Sequence, residues 1–269
     1  YKAERQSVQL MSSIDHYENF PVASWLCPAR LRPAVLALYQ FARTADDLAD
    51  EGFEPAHHRL DALGEYRADL QNCLNQANTQ SVRWPNVFGP LQQVIQQYQL
   101  PAQALFDLLD AFEQDVVYTS VGQGYRNRAE LLDYCRRSAN PVGRLMLHLY
   151  GVNDATSLAQ SDTICTALQL INLWQDRAED LERGRNYLPE GHTLPNELRF
   201  ARELMKQGAP LVHRVKGRAG WELRAVVQGG LRMLDKLDAR GDAQDHAQLA
   251  RPTLNKTDFI RIFWRCIRM

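Results

Sequence analysis

Apolar residues recur at three- and four-residue intervals along nearly the whole chain, the period of a helix face rather than of a strand. This pattern predicts helices over residues 31–51, 58–77, 86–98, 101–118, 128–150, 155–182, 197–206, 210–216, 221–239 and 256–268. Pro28, Pro33, Pro85, Pro90, Pro101, Pro189, Pro195, Pro210 and Pro252 fall at or near the starts and breaks of these segments. That placement suits a residue that lacks an N–H and is tolerated in a first helical turn. No Asn-Gly or Asp-Gly hairpin signal and no strand alternation competes with the helices. The expected loops, 78–85, 119–127, 183–196 and 240–252, are too short and too unbiased to be interdomain linkers. The expectation is one all-α domain over residues 1–269.

Two of these helices carry a polar stripe. Tyr39, Arg43, Asp46 and Asp50 follow one another at steps of four, three and four; Gln169, Asn172, Asp176 and Asp180 at three, four and four. Each set lies on one helix face about three turns long. Around the second stripe, Leu168, Leu170, Ile171, Leu173 and Trp174 are apolar, so its polar side faces an internal cavity more naturally than open water. A solvated acidic face is the plain alternative for either stripe alone. Asp, however, is a poor helix former compared with Glu. Two carboxylates about 6 Å apart repel by roughly 3 kcal/mol at an effective dielectric near 20. Four of them converging on a cavity call for a counter-ion. Hard oxygen donors without His or Cys favour Mg²⁺ over zinc, and Mg²⁺ shares its coordination with water and phosphate oxygens. The residues therefore point to an all-α, Mg²⁺-dependent diphosphate site.

Composition narrows the field. The chain has 269 residues, 45% of them hydrophobic, and a net charge of −1. The core is large enough for one sizeable domain, and nothing in the charge recommends a nucleic-acid partner. Five cysteines, Cys27, Cys73, Cys135, Cys165 and Cys266, are scattered without a Cys-x-x-Cys pair. They read as small apolar fillers of a reduced, cytoplasmic chain. No apolar run approaches the ~18 residues that span a bilayer. Residues 258–269 are basic, aromatic and amphipathic. A terminal helix docked on the core is the first reading there, and a membrane-surface helix the second.

Other chemistry is weakly signalled. There is no His-Glu-x-x-His and no P-loop, and Gly122-Gln123-Gly124 lacks the context of a dinucleotide fingerprint. Ser24 and Ser138 have no nucleophile-elbow context. His16 and His148 read as packed or hydrogen-bonded residues. By spacing alone, Tyr134 reads as core.

The stripes and their companions resemble the squalene/phytoene synthase family over nearly the whole chain. Tyr39 to Asp50 is similar to its first aspartate motif and Gln169 to Asp180 to its second. Gly184-Arg185-Asn186-Tyr187-Leu188-Pro189 resembles the stretch after the second motif. Leu132-Asp133-Tyr134-Cys135 and Asn140-Pro141-Val142-Gly143 occupy the family's Tyr-Cys and Val-Gly positions. The resemblance implies an isoprenoid synthase fold around a deep apolar cavity. It implies Mg²⁺ held by Asp46, Asp50, Asp176 and Asp180 with Asn172 nearby. Tyr39, Arg43, Gln169, Tyr17, Asn19, Arg185 and Tyr187 would bind substrate, and Tyr134 would steer a cation in the cavity.

Three departures bear on which family reaction to expect. Tyr17 and Asn19 stand in His16-Tyr17-Glu18-Asn19-Phe20 where the family often has serines. Gln175 replaces the usual Arg before the second motif, and Asn140-Pro141 replaces a Gly-containing pair. Fewer diphosphate ligands suggest one diphosphate rather than two. The resemblance is then greatest to the bacterial members that convert presqualene diphosphate and water to hydroxysqualene in squalene and hopanoid synthesis. Partners that supply presqualene diphosphate and reduce hydroxysqualene are implied with it. Sister synthases that join two prenyl diphosphates into presqualene diphosphate, dehydrosqualene or phytoene remain open, as does a non-catalytic scaffold.

Overall fold

The computed structural model describes residues 26–50, 54–75, 81–240 and 251–269. Among them there is no strand. Eleven α-helices follow in order: α1 Arg32–Asp50, α2 Ala56–Leu74, α3 Pro85–Tyr98, α4 Ala102–Val121, α5 Arg128–Ser138, α6 Asn140–Leu149, α7 Ala155–Gln175, α8 Arg177–Glu182, α9 Leu194–Gly208, α10 Gly217–Asp238 and α11 Lys256–Arg268. The all-α expectation holds, and the differences lie at breaks.

Residues 128–150 form two helices, not one. Pro141 removes an N–H that would bond the Arg137 carbonyl and biases Asn140 away from the helical region. The chain turns at Ala139 (φ −122°, ψ −45°), and the Asn140 side chain, now buried, accepts a hydrogen bond from Thr166 at 2.9 Å. Residues 155–182 also divide, at Asp176 (φ −96°, ψ 3°). Pro90 does not break a helix but sits inside α3. The expected helix at 210–216 is a 3₁₀ segment, Ala209–His213, that follows α9 directly.

Two apolar centres organise the bundle. The first gathers α1 to α4 around Phe41, Leu63, Tyr66, Phe88, Leu105 and Leu109. On α1 its contribution is largely small: Ala34, Ala37, Phe41, Ala45 and Ala49, at helical spacing, are all buried. This face lets the neighbouring helices approach closely while the opposite face keeps its acids. Tyr66 stacks on Phe41 with ring centroids 5.3 Å apart and donates its hydroxyl to the Phe41 carbonyl at 3.0 Å. The second centre gathers α5, α7, α9 and α10 around Leu131, Leu170, Trp174, Met205, Val227 and Leu234. Capping fixes where several helices start. Asn127 accepts from the Glu130 amide, Asp154 from the Ser157 amide, and Asn255 forms a reciprocal box with Asp258. Of the five cysteines, four are buried as expected and Cys165 is partly exposed. His148 hydrogen-bonds the Tyr98 carbonyl at 2.8 Å, a packed residue as expected.

The α7–α9 contact depends on Gly208. A Cβ there would meet the Gln160 carbonyl oxygen at 2.6 Å and Ile164 at 2.5 Å. Backbone cannot step aside as a side-chain tip can, so Gly208→Ala is expected to destabilise the fold by about 1–3 kcal/mol. Urea unfolding that shows no loss would contradict this packing.

Candidate active site

Where the two centres meet, residues of α1, α4, α5, α7, α8 and α10 line a cavity of about 740 Å³. Its wall changes character along α7. Cys165 and Leu168 come first, then Gln169, Ile171, Asn172 and Leu173 alternate polar and apolar, and Asp176 stands at the helix C-cap. At 1.5 Å per residue, Cys165 and Asp176 are roughly 16 Å apart along the axis. The polar end carries Arg43, Asp46, Asp47, Asp50, Asp176, Glu179, Asp180, Arg183, Arg185 and Arg251; Phe112, Val142, Leu173, Met233 and Leu254 add to the apolar wall. Gly230 on α10 leaves room there, since a Cβ would meet Met205 at 2.7 Å.

Acids of both sets stand at helix C-terminal ends, while Asp180 lies in the first turn of α8. Asp46, Asp47 and Asp50 sit in the last turns of α1, and Asp176 caps α7. The partial negative charge of a helix C-terminus favours cations there, so carboxylates at both ends run against the local preference. Burial first, then Asp50, pushes the Asp46 pKa up to about 6, against the pull of Arg43. Burial likewise pushes Asp180 up to about 7; Arg185 opposes it, while Asp176 and Asp50 add to it. The two stripes thus act on each other across the cavity through Asp50 and Asp180.

Three arginines answer the acids. Arg43 pairs with Asp46 at 3.0 Å and Asp47 at 2.8 Å on its own helix. Arg185 grips Asp50 with two bonds of 2.5 and 3.0 Å, and a third at 2.9 Å reaches Thr119. Burial opposes charge on Arg185, but those bonds outweigh it and raise its pKa. Gly184 makes this reach feasible: it adopts φ 77°, turning the chain back after α8. Arg251 engages both oxygens of Asp176, one of them at 3.1 Å.

That last contact corrects the reading of Gln175 as a lost cation. Gln175 is buried, and its amide donates to the Pro252 carbonyl at 2.6 Å. It thereby holds the segment that delivers Arg251 to Asp176. A cation thus reaches Asp176 from residue 251 rather than from 175. Lys256, the other basic residue close by in that segment, is exposed and is not part of the lining. Among the other expected residues, Arg43, Asp46, Asp50, Tyr134, Gln169, Asn172, Asp176, Asp180, Arg185 and Tyr187 all line the cavity. Tyr39 does not; it is half-buried on α1 outside the lining. Tyr17, Asn19 and His16 lie outside the described residues.

Sequence reasoning missed Asp115. It lines the cavity from α4, accepts the Tyr134 hydroxyl at 2.6 Å, and accepts the Tyr187 hydroxyl at 3.1 Å. Burial lifts its pKa to about 7 against those hydrogen bonds and Arg185. Tyr134 and Tyr187 are raised well above the ordinary phenol value, by burial and then by Asp115, so both stay protonated and donate. With Tyr125 they form a cluster of rings, centroids 5.8–5.9 Å apart. The only signal was an acid in the middle of an apolar helical pattern, which spacing alone cannot tell from a solvated one.

The donor set at the polar end fits a hard divalent ion: all oxygens and no soft ligand. Among the described residues no three His, Cys, Asp or Glu side chains form a metal cluster by themselves. An ion here would take its remaining ligands from water and phosphate. The arginines supply phosphate contacts, and the apolar wall suits a hydrocarbon.

Known proteins share these features. A model of the squalene/phytoene synthase family matches residues 15–195, more than half of the chain. A hydroxysqualene synthase of Rhodopseudomonas palustris is 39% identical over 173 residues, 64% of this chain and 55% of that protein. One from Zymomonas mobilis is 38% identical over 193 residues, 70% of this chain and 60% of that protein. A phytoene synthase of Cereibacter sphaeroides is 31% identical over 84% of this chain and 60% of that protein. The chain thus spans 55 to 60% of the length of these relatives. The crystal structure of squalene synthase HpnC from Alicyclobacillus acidocaldarius superposes with a TM-score of 0.75 at 32% identity, covering 88% of this chain and 93% of that one.

The raised Asp46 pKa has a thermodynamic sign. The folded state holds this proton more tightly than the unfolded chain does. Its contribution to stability is full below pH ~4 and is lost as pH rises through about 6. Asp46→Asn should therefore leave the melting temperature at pH 7.5 unchanged or raised by up to about 3 °C, with no gain at pH 4. The lost Arg43 pair costs little, because both side chains are about 40% exposed. A clear drop in the melting temperature at pH 7.5 would mean that the carboxylate serves the fold instead.

Proposed function

The chain belongs to the squalene/phytoene synthase family, and from that premise we propose that it is a hydroxysqualene synthase. It converts presqualene diphosphate and water to hydroxysqualene and diphosphate, a carbon–oxygen lyase step in squalene and hopanoid synthesis. The observation that carries this reading is the single cavity with facing acidic stripes at one end and apolar and aromatic walls beyond.

Asp46, Asp50, Asp176 and Asp180, with Asn172, would hold Mg²⁺. When bound, Mg²⁺ supplies charge for a leaving diphosphate. Arg43, Arg185 and Arg251 orient the diphosphate and share its negative charge as the C–O bond breaks with its electron pair. Leu168, Ile171, Met233 and Leu254 keep water from the hydrocarbon. Tyr134 and Tyr187 present ring faces to the cyclopropylcarbinyl cation, and Asp115, holding both hydroxyls, adds negative potential behind them. The cation rearranges, a water oxygen adds to carbon, and the proton that water loses passes to the departed diphosphate. No electrons are gained or lost overall, so the step needs no reductant.

The preference for presqualene diphosphate over two prenyl diphosphates draws its support from the relatives named hydroxysqualene synthase. A shortage of cations no longer supports it, since Arg251 reaches Asp176 in the cavity. The phytoene synthase relative, matched over more of this chain, favours joining two prenyl diphosphates as the second reading.

Incubation with Mg²⁺ and either presqualene or farnesyl diphosphate, with products identified by mass spectrometry, separates the readings. Hydroxysqualene from presqualene diphosphate is the expected result. Consumption of farnesyl diphosphate with presqualene diphosphate untouched would establish the second reading, and a folded chain inert towards all C15–C30 diphosphates would point to a scaffold. Asp176→Asn should lower turnover at least ~100-fold, as loss of a charge-stabilising group does. It should also abolish the rise in melting temperature that Mg²⁺ with inorganic diphosphate gives the parent chain. Tyr134→Phe should lower kcat about tenfold or more with little change in KM, since it acts on the cation rather than on binding.

A further inference from the structure

The terminal helix α11 is docked on the bundle by one face only. Asp258, Ile262 and Cys266, four residues apart, are buried. Asp258 accepts from Arg232 at 2.7 Å and Lys236 at 2.5 Å on α10. Arg224 of α10 reaches the Cys266 carbonyl at 3.4 Å. The side turned away from α10 is unusually apolar. Phe259, Ile260, Phe263, Trp264 and Ile267 are each 48 to 60% exposed.

At about 100° per residue, these five side chains cover roughly 140° of the circumference beside the docked stripe. Arg261, Arg265 and Arg268 come next around the helix, all exposed. The order is docked stripe, apolar and aromatic stripe, basic stripe. Trp221 of α10 is also exposed, and its ring lies under the same Arg224 guanidinium, 4.8 Å from the ring centroid. It therefore extends the aromatic patch past the end of α11. A docked helix needs only one apolar face; this one has two.

We infer that α11 and Trp221 form a membrane-surface contact that lays the protein on an anionic bilayer, with the apolar stripe in the acyl boundary and the arginines at the headgroups. Charge selects this occupant. The whole chain carries a net charge of −1, yet the sole acid of α11, Asp258, is buried and paired; Arg265 also pairs with Asp235 of α10 at 3.3 Å, and Arg261 and Arg268 give the exposed side of the helix its basic character. Aromatic rings beside arginines match the interface of a bilayer, where apolar depth and anionic headgroups lie a few ångströms apart. The segment that leads into α11 also borders the cavity: Leu254, one residue before the Asn255 cap, lines it, and Arg251 pairs with Asp176 inside it. The contact goes beyond the proposed reaction and is tested without turnover.

Flotation of the 269-residue chain with vesicles of about three parts phosphatidylcholine to one part phosphatidylglycerol tests the contact. Strong co-flotation is expected, falling at least ~tenfold on pure phosphatidylcholine or at high salt. Phe263→Ser/Trp264→Ser should lose flotation while keeping the circular dichroism and melting temperature of the parent, because both side chains are mostly exposed. Arg261→Glu/Arg268→Glu should lose only the preference for anionic vesicles. Absence of flotation, or binding unaffected by Phe263→Ser/Trp264→Ser, would overturn the inference. So would a parent chain that sediments as a dimer and becomes monomeric in that variant, since the face would then join two copies.

Discussion

Negative charge concentrated against the grain of the helices governs this molecule. Two helix C-termini, each carrying a fraction of a negative charge, converge on one cavity with carboxylates added at both. Nothing in the local rules of helix formation asks for Asp46, Asp50 or Asp176 where they stand. Burial, with the neighbouring carboxylates, raises the proton affinity of Asp46 and Asp180. Local preferences are broken in this way where a site needs a partner that folding does not provide.

Much of the surrounding structure serves to manage that charge. The small-residue face of α1 buries tightly, so that its other face can remain polar. The left-handed turn at Gly184 returns Arg185 to Asp50. Gln175 commits its buried amide to the Pro252 carbonyl, and Arg251 is carried to Asp176 in consequence. Farther along the cavity the problem reverses. There Asp115 is a lone carboxylate among rings that accepts two phenol hydroxyls, its pKa lifted to about 7 by burial.

The stripes were legible in the sequence because a helix converts spacing into direction, so acids repeated every third or fourth residue mark out one face. The all-α architecture was legible for the same reason. Breaks were less so. Pro141 signalled a kink, but the periodicity on either side ran through it unchanged. The turn at Asp176 left no mark in composition. Contacts made across long sequence separations were invisible: Asp115 to Tyr187, Arg185 to Asp50, Arg251 to Asp176. In each, an ordinary charged residue gains its meaning only from a neighbour that tertiary packing supplies. Gln175 shows the hazard most plainly, since taken alone it suggested a missing charge that the fold restores from 75 residues away.

The arginine pairs have a thermodynamic corollary. Arg43, Arg185 and Arg251 each neutralise a carboxylate that a metal ion would claim. In the proposed reaction, a diphosphate would draw the arginines off those carboxylates, and the ion would replace them. Ligation is then a swap of partners at nearly constant total charge. Either guest alone would leave half of the charges unmatched: bare arginines beside a metal, or bare carboxylates beside a phosphate. Such a site would bind its two guests cooperatively, each raising the other's affinity by the same factor, as linkage requires. The ion pairs that line the cavity are thus the source of that reciprocity.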